Sequence, residues 1–185
     1  MNIRVLARHA TLLVGVLTTA LGAPIRAGAQ TASPVANPAD VASIDAIIDA
    51  LYDVISGPAG QARDWARFHS LFADGARLIP TAIRPDGSRV MQVWTPQEYV
   101  ERAGANLERN GFFEKEIGRV TEEFGQIAHV FSAYDSKRTL ADPTPFARGI
   151  NSIQLRHDGT RWYVVTVFWD SERADNPIPA RYLGG

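Results

Sequence analysis

Three side chains in this 185-residue chain have the chemistry to move or donate a proton: His129, Tyr52 and Asp74. His129 lies between Ala128 and Val130 in a β-rich run, and an imidazole titrates near neutrality, so it could serve as acid or base. Tyr134, Asp135 and Arg138 follow on the same run and make a polar group toward its end. Side chains alternate across a strand, which puts His129 and Asp135 on one face and Tyr134 on the other, so they line one site only where a bulge intervenes. Each candidate has an ordinary structural role as its alternative. The alternative for His129 is a hydrogen-bonded structural histidine. Tyr52 reads as a core aromatic with its hydroxyl at the rim, and Asp74 as a turn residue bonding its own backbone.

Arg148, Asn151, Gln154 and Asp170 interrupt otherwise apolar runs, and once buried they must pair with each other or with a ligand. Asn151 and Gln154 fall on opposite faces, so at most one of them looks inward. Glu114, Glu116 and Arg119 read as solvated or interface-rim charges. Several chemistries are excluded. The absence of cysteine removes disulfides, thiolate metal sites, cysteine nucleophiles and a lipid-anchor cleavage motif. His9, His69, His129 and His157 show no ligand spacing, so no metal site is expected. No phosphate loop, dinucleotide fingerprint or Gly-x-Ser-x-Gly occurs, and no cofactor is expected. A net charge of −1 leaves no footprint for nucleic acid or anionic lipid.

The N-terminus has the order of a secretory signal peptide: Arg4 and Arg8, an apolar run from Thr11 to Leu21, then Ala27-Gly28-Ala29. The run falls short of the ~20 residues a membrane span needs. Residues 1–29 are therefore expected to be removed after Ala29, leaving a periplasmic or secreted protein with no membrane anchor. Residues 30–39 read as a flexible leader, 40–172 as one domain and 173–185 as an irregular tail.

Within the domain, Asp40 reads as an N-cap, and Ile44, Ile47, Ile48, Leu51, Tyr52 and Ile55 predict an amphipathic helix over 41–55. Trp65, Phe68, Leu71 and Phe72 predict a second over 61–72, broken at Asp74-Gly75. Strands are expected at 76–83 and 89–94. Thr95-Pro96-Gln97-Glu98 is a capping box that opens a third helix, which ends at Asn110-Gly111. Four long strands follow, at 112–124, 127–138, 146–157 and 161–170, and helices before antiparallel strands make an α+β domain. Asp158-Gly159 predicts a tight closing hairpin with φ > 0 at both residues. Regular alternation puts Trp162, Val164, Thr166 and Phe168 on one face of the last strand. Tyr163, Val165, Val167 and Trp169 then share the other. Two apolar faces need two covers, helices inside and a second subunit outside, which predicts a homodimer.

The segments FHSLFADGARLIP, AHVFSAYDSKR and RGINSIQLRHDGTRWYVVTVFWD together resemble the nuclear transport factor 2-like superfamily, over about residues 40–172. The likeness is greatest to exported bacterial members. The resemblance implies a cone-shaped curved antiparallel sheet wrapped around three N-terminal helices, with a deep pocket and frequent dimers through the outer sheet face. It places Tyr52 where ketosteroid isomerase members carry an oxyanion-binding tyrosine. It places Ile79 where they carry a catalytic aspartate before the proline, here Pro80. The expected pocket lining is Tyr52, Trp65, Phe68, Tyr99, Asn151, Trp162, Phe168 and Asp170. The expected function is cofactor-free binding of a small, largely apolar molecule. Two alternatives stand beside it: an isomerase, dehydratase or cyclase using His129, Tyr52 or Asp74, and a dimeric interaction module.

Overall fold

Ser43 opens the longest helix by accepting from the Ala46 amide at 3.1 Å, and the apolar residues that follow are buried along one side. This helix, α2, spans Ile44–Ile55, and a single turn, α1, precedes it at Pro38–Val41 with Asn37 as its cap. Asp40, expected as the cap of the long helix, is instead buried against Arg67 at 2.7 Å. The computed structural model describes residues 34–184; the signal pattern, its cleavage site and the first leader residues lie outside the described residues. No helix among the described residues is long and apolar enough to cross a membrane.

The second helix, α3, is shorter than its periodicity suggests, Trp65–Ser70 capped by Asp64. Chain from Phe72 onward already belongs to strand β1, Phe72–Ile83, which turns back into β2, Arg89–Met91. Asp74-Gly75 does not end a helix; it lies within the stretch where β1 bulges out of register between Phe72 and Arg77. The Thr95–Glu98 capping box forms as expected, with both reciprocal bonds, at 2.8 and 3.1 Å. It starts α4, Pro96–Tyr99, which passes through a π-helical turn at Val100–Gly104 into α5, Ala105–Asn110. Strands β3, Phe113–Phe124, β4, Ile127–Lys137, β5, Ala147–His157, and β6, Trp162–Ser171, complete the domain.

The six strands form one curved, unclosed sheet in the order β2-β1-β6-β5-β4-β3, with the helices against its inner face. The expectation of a wholly antiparallel sheet needs one correction, because β1 and β6 run parallel. The last strand enters beside the first in the same direction, after a crossover through α4, α5 and four strands. The closing hairpin also departs from the tight turn expected. Gly159 takes φ +103, and among the described residues no non-glycine residue has positive φ. Asp158 instead accepts from the Thr160 and Arg161 amides at 2.8 and 3.0 Å, so its carboxylate holds a wider loop.

The largest departure lies in β6. Leu155 stands opposite Val164 and Gln154 opposite Thr166, so Val165 is an extra residue with no partner. A one-residue bulge reverses the alternation beyond it. Trp162 and Val164 face inward before it, Val167 and Trp169 after it, each opposite an inward residue of β5. Thr166 and Phe168 face outward. The four residues expected to form a dimer face, Tyr163, Val165, Val167 and Trp169, therefore do not share a face.

The two faces can be separated by charge. Val167 is 6 % exposed and Phe168 41 %. Val167→Asp should lower unfolding stability by at least about 3 kcal/mol, since it buries an unpaired carboxylate. Phe168→Asp should cost about 1 kcal/mol or less. Urea unfolding of both variants checks the assignment, and regular alternation would give the reverse order.

Candidate functional site

Between the inner face of the sheet and the helices lies a cavity of about 220 Å³, open to the surface on one side. Leu51 and Ile55 of α2, Phe68 of α3, Leu107 of α5 and Leu78 of β1 form much of its wall, with Val167 and Trp169 completing it from β6. Polar groups converge at one end: Tyr52, Glu114, Tyr134, Ser136 and Asn151. Arg63 fixes the helical side of this arrangement. Its buried guanidinium donates to the carbonyls of Ile55 at 3.0 Å, Gly57 at 2.6 Å and Leu107 at 3.3 Å. It thereby satisfies backbone acceptors at the end of α2 and ties that end to α5.

The polar end is wired in a definite direction. The Asn151 amide donates to the Tyr52 hydroxyl at 3.1 Å, and Tyr52 and Ser132 are joined at 2.7 Å. Ser132 donates its single proton to Glu116 at 2.5 Å, so Tyr52 must be the donor to Ser132. Ser136 donates to Glu114 at 2.7 Å. Burial pushes the Glu114 carboxyl up to about 7; the Ser136 and Asn151 hydrogen bonds oppose that rise and Asp135 adds to it. Burial, with the Glu114 charge second, raises the phenols of Tyr52 and Tyr99, and takes Tyr134 to about 12, so all three remain neutral hydrogen-bonding rings. An apolar cavity with one carboxyl poised near neutrality can seat a small molecule by a single polar group, or exchange a proton with it.

Of the residues expected to line the pocket, Tyr52, Phe68, Tyr99 and Asn151 do so. Trp65 does not, because its indole N–H is drawn to Glu108 at 3.0 Å and its ring packs beside Gly104, where a side chain would crowd it. Trp162 is buried in the core beside His157, outside the cavity wall. Phe168 and Asp170 fall on the outer face beyond the bulge, and Asp170 is held there by Arg173 at 2.7 and 2.9 Å. The three proton-transfer candidates do not converge. His129 lies on the outer face, 3.0 Å from the Ser152 hydroxyl, and Asp74 is exposed on the rim of a different groove. Tyr52 alone of the three reaches the cavity.

Glu114, expected to be solvated or at a rim, is the group that sequence reasoning missed. In FEKEIGRV the apolar residues Phe113 and Ile117 suggest the inward face. Register decides otherwise: Glu114 stands opposite the buried Ser136, and β3 bulges between Glu116 and Gly118. Among the described residues no group of three or more potential metal ligands gathers at one point.

The half-buried Glu114 carboxyl should make stability depend on pH. Its folded value near 7 lies above its ordinary 4.5, so the folded state keeps a proton that the unfolded chain releases. The contribution is complete below about pH 4.5 and is lost as pH rises through 7, a difference on the order of 3 kcal/mol. Glu114→Gln should therefore match the wild type at pH 4.5 and exceed it by about 3 kcal/mol at pH 8, measured by urea unfolding at the two pH values.

No family model and no curated protein matches the chain. Among solved structures it is similar to a protein with a cystatin-like fold from Nostoc punctiforme, at 11 % identity, covering 68 % of this chain and 86 % of that one with a TM-score of 0.49. It is similar to a nuclear transport factor 2-like protein from Shewanella baltica, at 15 % identity over 62 % and 83 % of the two chains, TM-score 0.40. It is similar also to a putative ketosteroid isomerase from Kribbella flavida, at 19 % identity over 78 % and 89 %, TM-score 0.40. The curved six-stranded sheet laid over its helices is the architecture that the sequence resemblance implied, that of the nuclear transport factor 2-like fold.

Proposed function

We propose that this chain is an exported pocket protein that binds one small, mostly apolar molecule, anchored by a single polar group at Glu114 and Asn151. The observation that carries this reading is the cavity itself, apolar along its walls and polar only at one end. An apolar cavity of about 150 Å³ takes benzene, so one of about 220 Å³ suits a ligand on the order of ten non-hydrogen atoms. Export rests on the Arg4–Ala29 pattern. It is tested by fusing residues 1–29 to a reporter and following its secretion and cleavage.

Binding is tested by thermal shift of residues 30–185 against small aromatic and alicyclic compounds. Compounds that fit should stabilise the fold, by about 2.7 kcal/mol at a hundredfold excess over Kd. Leu78→Phe, which fills the cavity, should abolish the shifts while leaving the domain folded. A screen in which no compound raises the melting temperature sinks the reading.

One observation favours a second reading, proton transfer. A carboxyl near neutrality within an apolar site beside Tyr52 has the poise of an acid–base group. His129 and Asp74 drop out of this reading by position, and Glu114 takes their place. Solvent deuterium should then enter a bound ketone next to its carbonyl, and Glu114→Gln should stop it.

A further inference from the structure

We infer that the polar group anchored in this cavity is a protonated amine, carried on a small aromatic or alicyclic skeleton. This rests on the pocket reading above and sharpens it to a ligand class.

The first argument is a count of protons. The Tyr52 proton goes to Ser132, the Ser132 proton to Glu116 and the Ser136 proton to Glu114. Asn151 donates to Tyr52 and also bonds Glu114. The donors of these four residues are thus committed within the protein, and the Tyr134 hydroxyl bonds Ser171. The Glu114 carboxylate has about four acceptor sites, and its partners Ser136 and Asn151 leave capacity for more. Once Glu114 is ionised that capacity is open to a donor, whereas a ligand carbonyl or carboxylate would bring only a further acceptor.

The second argument is charge. Among the described residues the cavity wall contains no lysine, arginine or histidine, and Glu114 is its one ionisable carboxyl. A ligand anion would face it uncompensated, which a buried site penalises. Arg138 stacks on the Phe146 ring, 4.1 Å from its centroid, but does not line the cavity. Around Glu114 stand Tyr52 from α2, Tyr99 from α4, Tyr134 and Asp135 from β4, and Glu116 on its own strand. Lys115 and Lys137 share an outer groove with it. Lys115 lies 4.0 Å from Asp135, and Lys137 donates to the Asp142 carbonyl at 2.8 Å.

The third argument is the wall. Tyr99, Phe112, Tyr134, Phe146 and Trp169 present aromatic rings to the cavity, and ring faces attract an ammonium group. An amine that enters replaces the proton on Glu114, so binding releases a proton near pH 7 and strengthens as pH rises toward 8.

Calorimetric titration of residues 30–185 with benzylamine, benzyl alcohol, benzoate and ethylbenzene tests this. At pH 8 benzylamine should bind at least tenfold more tightly than benzyl alcohol, and benzoate most weakly. Its affinity should rise severalfold from pH 6 to pH 8, with proton release seen as a buffer-dependent heat. Glu114→Gln should weaken benzylamine at least tenfold and change benzyl alcohol less than threefold, and Glu114→Asp should keep part of the preference. Equal or tighter binding of the alcohol or the benzoate overturns the amine assignment and leaves the pocket reading standing. If none of the four probes binds, the pocket reading fails and the amine assignment fails with it.

Discussion

One unpaired residue, Val165, decides which side chains form the cavity. β5 runs through its inward positions without interruption: Asn151, Ile153, Leu155. β6 stays in step with it only because Val165 is skipped between Val164 and Thr166. A strand has a side-chain period of two, so the skip moves every later residue to the other face. Val167 and Trp169 thereby become wall, and Phe168 and Asp170 become surface. Without the bulge, Thr166 and Phe168 would face the helices and Trp169 would leave the cavity. The edge strand β3 uses the same device. β3 bulges between Glu116 and Gly118, so that Glu116 and Arg119 both look inward despite their odd spacing. The bulges bend the sheet as well as re-aiming its side chains, and a curved sheet leaves the space that the helices do not fill.

Placing a carboxyl in that space is costly, and the structure shows how the cost is met. Burial favours the neutral form of Glu114, while Ser136 and Asn151 favour the charged one. Neither wins outright, which leaves the group balanced near neutral pH. The alternative of full compensation is visible nearby. Asp40 sits buried against Arg67 at 2.7 Å, and Arg67 reaches Asp53 as well. That cluster ties α1, α2 and α3 together and has no room for a guest. Glu114 has the opposite arrangement: hydrogen-bond donors but no cation, beside empty volume. The residual imbalance is what a ligand can relieve, and it ties recognition to a measurable stability cost in the free protein.

Local signals in the sequence located the elements well. The Thr95–Glu98 capping box, the amphipathic spacing around Leu51 and the Asp158-Gly159 pair each act over a few residues, and the helix start, the helix and the hairpin appear where they put them. Tyr52, Phe68, Tyr99 and Asn151 reached the cavity because their helix or strand face follows from the same short-range periodicity. Non-local facts were not available in the same way. A bulge has no reliable signature in VVTVF, where every choice of face is apolar. Glu114 looked solvent-bound because its strand reads as polar on alternate positions, and only its register against Ser136 reveals that this polar side is the inner one. Trp65 was drawn out of the wall by a partner, Glu108, more than forty positions away. The parallel pairing of β1 with β6 is a property of strand order, which composition does not encode.

The reversal in β6 also changes what an apolar strand demands of its surroundings. Read as regular, the strand has two greasy faces and calls for a second copy outside. Read with the bulge, Trp162, Val164, Val167 and Trp169 are all covered from within, and the outward set becomes Tyr163, Thr166, Phe168 and Asp170. Much of that outer side already has cover from the same chain. Arg161 lies over the Tyr163 ring at 3.8 Å, and Tyr163 and Val165 border a groove closed by residues 34–42. The C-terminal segment runs back across the sheet, burying Ile178, packing the Tyr182 ring at a tilt against Phe131 with centroids 4.8 Å apart, and placing the Gly184 amide on the Ile117 carbonyl at 3.1 Å. Gly118 permits this approach, since a side chain there would collide with the backbone of Tyr182 and Gly184. Apolar area removed from water by a chain's own termini no longer drives association with another molecule. The hydrophobic argument for a dimer through these four residues therefore lapses, and the exposed apolar side chains Val120, Phe124 and Ile127 stand apart from them, on the β3–β4 hairpin.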